Sequence, residues 1–196
     1  VFVLGMPRSG TTLTEQIPWG RISKEGGAVA YESIKKANEL ALAGEVDAVV
    51  TAPIHKESLK AAAVPYIDHT TMFNGLTGTE HGTMTMFATG NLKVFFLTRH
   101  ISLREVPDAI TADVLTGGIH STIENLAALG ITNPKVAVAA LNPHGGEHGL
   151  FGTEEDAVIR PVIETLQNDS PLHAELSGPV PADAVFHQCA EGTYDA

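Results

Sequence analysis

Three apolar runs of the 196-residue chain each end in a loop that carries a histidine. Asp47–Ala52 hands over to "APIHKESL", Leu92–Leu97 to "TRHISL" and Lys135–Leu141 to "NPHGGEHG", which places His55, His100 and His144 just past three expected strands. A fourth, His69, stands in "YIDHTTMF". A single loop histidine is more often a solvated polar residue than a ligand. Several on neighbouring strand ends favour a metal, because neutral imidazole is the commonest transition-metal ligand. Gly145-Gly146 after His144 removes side-chain bulk and gives a substrate room to approach. A second stretch with chemistry opens the chain, "VFVLGMPRSGTTL". Val1–Leu4 reads as a short buried strand, and Ser9, Gly10, Thr11 and Thr12 would offer amides and hydroxyls at a helix start. Such a turn favours an anion. A nucleotide-binding P-loop needs lysine where Thr11 stands, so an anion loop of another kind and a turn without ligand both stay open.

The elements that must position these residues alternate. Ser23–Ala43 has helical spacing through Ile34, Ala37 and Leu40, and Gly44 ends it. Ile119–Leu129 is a second helical stretch, closed by Gly130. Thr153–Leu166 is a third, with Thr153 as N-cap and Asp156 three residues on as a weak capping box. Apolar strands between helices predict an α/β fold with a mainly parallel sheet flanked by helices. Ligands of such sheets sit at the carboxyl ends of the strands, where the histidine loops fall.

A net charge of −11 argues against nucleic acid or an anionic membrane as partner. The single cysteine, Cys189, excludes an internal disulfide framework and fits a reducing cytoplasm. No apolar run approaches the roughly 18 residues of a membrane span, and no signal peptide is visible. Composition changes most sharply near Gln16–Gly20, dividing residues 1–17 from 18–196. Val1 stands inside an expected strand and "EGTYDA" lacks a terminating element, so both ends read as cut.

Pro7–Leu13, "PRSGTTL", resembles the phosphosulfate-binding loop of sulfotransferases. The rest resembles a different family. "DAVVTAPIHKESL", "DHTTMF", "LTRHISLREVPDAIT", "LNPHGGEHGLFGTEE" and "GPVPADAVF" follow the order and spacing of the 4-hydroxythreonine-4-phosphate dehydrogenases, from about Pro18 to Ala196. That resemblance implies an isocitrate/isopropylmalate dehydrogenase-like fold and an NAD-dependent oxidation, with decarboxylation, of a small phosphorylated hydroxy acid such as 4-phosphohydroxy-L-threonine. It further implies a cytoplasmic homodimer and a divalent metal (zinc, magnesium or cobalt) held by His100 and His144. His69 and Thr70 match substrate-binding positions, and Lys56 and Asp183 match catalytic ones, Asp183 close to the metal across a subunit interface.

Two departures bear on this. The family usually has glycine before and glutamate after its His-Thr pair; here they are Asp68 and Thr71. Asp68 would repel a phosphorylated substrate unless it faces away. The family's third metal histidine falls past Ala196. On that ground a non-catalytic fragment is one alternative, and a sulfotransferase-like anion-binding protein is another. Residues 1–17 then read as a foreign or fused segment.

Overall fold

The computed structural model describes residues 2–4, 17, 20–78, 83–168 and 172–196. The chain divides into two compact units, Val1–Thr83 and Met84–Ala196. Pro7–Leu13, the expected anion loop, lies outside the described residues.

In the first unit, strand β1 (Phe2–Leu4) runs parallel to β2 (Val49–Thr51), with Phe2 opposite Val49 and Leu4 opposite Thr51. Helix α1 (Lys24–Leu42) begins where expected because the Ser23 side chain accepts from the Gly26 N–H. Gly44, at φ +72°, lets the chain leave it. Two shorter helices, α2 (Lys56–Ala61) and α3 (His69–Thr77), complete the unit. Ile34, Leu59 and Met72 form its buried core, with Tyr31, Tyr66 and Phe73 packed around them.

The second unit opens with a hairpin. Strands β3 (Met86–Thr89) and β4 (Leu92–Phe95) pair antiparallel across a two-residue turn in which Gly90 takes φ +56°. Helices α4 (Val106–Ala109) and α5 (Ala112–Ala128) follow. Strand β5 (Lys135–Ala139) pairs parallel with β6 (Glu175–Val180), and α6 (Arg160–Asn168) and α7 (Ala182–Ala190) complete the set. Leu115, Ile119 and Leu126 of α5 meet Val136, Ile163, Leu166 and Leu176 in the core.

The α/β class expected from the alternation is present, but the sheet is not one mainly parallel sheet. Among the described residues there are three two-stranded sheets, two parallel and one antiparallel. The third helix also differs at its start. Thr153 makes no capping box; the chain enters a π-helical turn, Glu155–Ile159, before α6, and no side chain caps it. Glu155 is drawn to another partner, described below.

Candidate functional site

At the carboxyl end of β5 the chain passes Asn142 and enters a tight 3-10 turn, Pro143–Glu147. His144, Gly145 and Gly146 there take φ of 52°, 70° and 79°. Glycine adopts this left-handed backbone freely, whereas His144 must be held in it by its surroundings. The holding groups lie 13 residues on: one Glu155 carboxylate oxygen accepts the Asn142 N–H at 2.6 Å. The other accepts from Asn142 Nδ2 at 2.9 Å, and Glu154 accepts from the same nitrogen at 2.7 Å. Burial opposes the ionised form of Glu155, whose residue is only 1% exposed. The Asn142 side chain and the backbone N–H groups around it outweigh burial and lower its pKa. Gly146 also has a use within the fold. A Cβ there would stand 2.9 Å from Glu155 Oε2, so its bareness makes room for this carboxylate.

His144 itself is exposed, and its Nδ1 lies 2.6 Å from Glu147 Oε1. A carboxylate can only accept, so Nδ1 carries the proton and the neutral ring keeps its lone pair on Nε2. The hydrogen bond to Glu147 and then that carboxylate's charge raise the His144 pKa, against a small effect of burial, with the Asp183 charge adding to the rise. Metal-binding histidines commonly donate their second nitrogen to a carboxylate in this manner. The donor chemistry therefore fits a divalent ion at Nε2. The fit is partial, because among the described residues no three His, Cys, Asp or Glu side chains are grouped to hold one.

Asp183 stands in the first turn of α7, which packs on β4, on β5 and on the Pro143–Glu147 turn. The structure thus brings Asp183 toward His144 within one chain. His100 lies beyond β4, exposed and again left-handed at φ +58°. Its loop is shaped by Ser102, whose N–H and hydroxyl both donate to the Glu105 carboxylate, and by Arg99, which donates to the Thr85 hydroxyl.

The other candidates belong to the first unit. His55 is not placed as a ligand; its Nδ1 accepts the Ser58 N–H and caps α2, leaving Lys56 exposed at the first helical position. Asp68 and Thr71 explain each other. The Asp68 side chain accepts the Thr71 N–H at 2.8 Å while the Thr71 hydroxyl accepts the Asp68 N–H, a reciprocal cap on α3. The negative charge that would repel a phosphate is engaged with the Thr71 amide and hydroxyl. Asp68→Ala is expected to cost about 1 kcal/mol of stability, read in a urea melt, and Asp68→Gly only a few tenths. Directly after the cap come His69 and Thr70. His69 Nε2 is shut off from solvent and has no hydrogen-bond partner among the described residues, a state that calls for a ligand or an ordered water.

Glu147, Asn142 and Glu155 were not anticipated from the sequence. The signal available was a pair of carboxylates, Glu154-Glu155, just past a glycine-rich turn.

The family model of the pyridoxal phosphate biosynthetic protein PdxA matches residues 6–196. The chain belongs to this family. A relative from Symbiobacterium thermophilum, provisionally named D-threonate 4-phosphate dehydrogenase, is 48% identical over 92% of the chain and 52% of its own length. A similarly named protein from Fusobacterium nucleatum is 47% identical over 92% of the chain and 53% of its own. Among solved structures, the 4-hydroxythreonine-4-phosphate dehydrogenase of Klebsiella pneumoniae superposes with a TM-score of 0.85 at 37% identity, covering 94% of this chain and 54% of that one. The PdxA-family fold is therefore shared, and the chain spans about half the length of the curated relatives it matches. No helix among the described residues is long and apolar enough to cross a membrane.

Proposed function

We propose that this chain belongs to an NAD-dependent, divalent-metal-assisted dehydrogenase, which oxidises a small phosphorylated hydroxy acid with loss of carbon dioxide. The substrate class is that of 4-phosphohydroxy-L-threonine and of the D-threonate 4-phosphate in the relatives' names. The observation that carries this reading is His144 at the end of β5, its Nδ1 held by Glu147 and its Nε2 left to coordinate. An isocitrate/isopropylmalate dehydrogenase-like arrangement, a homodimer and a cytoplasmic setting accompany the reading.

His144 and His100 would hold zinc, magnesium or cobalt, which when bound supplies Lewis-acid polarisation of the substrate hydroxyl while NAD accepts the hydride. Glu147 keeps the proton on Nδ1 and so keeps Nε2 available. Asp183 adds negative charge beside His144, which favours a cation there. His69 Nε2, buried and unpartnered among the described residues, is suited to a substrate oxygen, with Thr70 next to it. Lys56, exposed at the start of α2, offers a positive group for a substrate anion.

His100 and His144 supply two imidazoles where a catalytic site of this kind needs about three protein ligands. The 196-residue chain alone is accordingly expected to bind zinc weakly and to turn over no substrate. Chelator competition should show that His100→Ala and His144→Ala each abolish the residual affinity. Turnover is to be compared with a protein of the relatives' full length, supplied with NAD, a divalent metal and each candidate substrate. Undiminished zinc affinity in His144→Ala, or equal turnover by the short chain, would overturn the assignment.

A further inference from the structure

We propose that Glu155, acting through Asn142, is a positioning residue that sets the His144 imidazole, a role that rests on reading His144 as metal-binding. Three acceptor oxygens converge on one residue two positions before His144. Glu155 Oε1 takes the Asn142 N–H, Glu155 Oε2 takes one proton of Asn142 Nδ2, and Glu154 Oε2 accepts from that same nitrogen. Asn142 is thus fixed in both its backbone and its side chain.

The turn that follows is shaped around this clamp. Gly146 has no Cβ where one would stand 2.9 Å from Glu155 Oε2, and Gly152 has none where one would stand 2.4 Å from Asn142 Nδ2. His144 has no burial of its own to hold it, with 65% of its side chain exposed, yet its backbone sits at φ 52° and ψ 25°. Its ring is aimed by Glu147 on one side and meets Phe151 edge-on at 6.5 Å between centroids. A left-handed histidine on an exposed turn needs an anchor in the chain beside it. Asn142 is that anchor, and Glu155, at the first residue of the π-helical turn, is what fixes it.

A merely structural Glu155 would support the fold without setting the ring, and the two roles separate in solution. Glu155→Gln keeps the shape but turns an amide donor toward a donor of Asn142. Asn142→Ala removes the side-chain half of the clamp and keeps the backbone N–H, so it decides the matter if the first variant does not fold. The readouts are the His144 ring-proton shifts and their cross-relaxation with Phe151 by NMR, and zinc affinity by chelator competition, with circular dichroism as the check on folding. Val162→Ala, a core truncation in α6, is the control for general destabilisation. We expect both clamp variants to lose the His144–Phe151 cross-relaxation and about tenfold in zinc affinity, with Val162→Ala changing neither. Unchanged ring signals and zinc affinity in a folded clamp variant would overturn the proposal, as would equal losses in Val162→Ala. Altered ring signals in a protein whose wild type takes up no zinc would uphold the positioning role and defeat the metal reading instead.

Discussion

Gly27→Ala is expected to unpack the first unit, although alanine is the better helix former. Gly27 is buried on the face of α1 that meets α2. A Cβ at this position would lie 2.0 Å from the Ser58 carbonyl oxygen, 2.4 Å from its carbon and 2.9 Å from the Leu59 nitrogen. All three are backbone atoms, so no side chain can rotate away to relieve the contact. The helices are also tied together at this level, since the Ser23 N–H donates to the Ser58 hydroxyl at 3.2 Å. Propensity alone would favour alanine by about 1 kcal/mol. Forcing backbone apart in a packed interface costs about 3 kcal/mol or more, and that term wins. Gly117→Ala supplies the opposite case within the same protein. Gly117 lies inside α5 with nothing within 4 Å of the added carbon, so the propensity gain should appear undiminished. Urea midpoints should therefore move in opposite directions, and a neutral or stabilising Gly27→Ala would show that the α1–α2 contact is not as close as described.

The elements legible in the sequence are those whose signals are local. Helix α1 is read nearly to the residue, because Ser23 caps it and Gly44 can adopt the left-handed exit. Strands β2, β4 and β5 are short apolar runs, and their ends hand over to the expected loops. Helix α3 escapes a periodicity reading because its nine residues bury only Met72, leaving little apolar stripe to detect. Strand β3 escapes because it is largely exposed and exists as half of a hairpin. The misreading at Thr153 is of another kind. Its spacing to Asp156 is that of a cap, but Glu155 is committed to Asn142, a partner no window on that helix contains. The site divides in the same manner. His144 and His100 stand out as histidines at strand ends, whereas their left-handed backbones leave no mark in the residue types, and the anchor beside His144 comes from Glu155, 13 residues past Asn142. Asp68 misleads for the opposite reason. Its charge is visible, and its engagement with Thr71 is visible only once α3 is known to begin at His69.

The Asn142 clamp also gives the second unit an acid sensitivity of determinate sign. Glu155 has a folded-state pKa below its ordinary value, because the bonds from Asn142 outweigh the effect of burial. Its contribution to stability is therefore complete above the unfolded carboxylate pKa and is lost as pH falls through the lower folded value. Glu155→Gln keeps the volume but cannot accept from both Asn142 donors, leaving at least one buried donor unmatched. A buried donor without a partner costs about 1–3 kcal/mol, and bonds to a charged acceptor lie at the upper end of that scale. At neutral pH the variant should be less stable by about 3 kcal/mol. As pH is lowered the wild type should lose that advantage and the two urea midpoints should converge. The convergence belongs below the usual carboxylate range, far from the raised pKa of His144. A difference between the two proteins that stays constant from neutral pH to acid would mean that Glu155 has the same pKa folded and unfolded, and that the bonds from Asn142 do not favour its carboxylate.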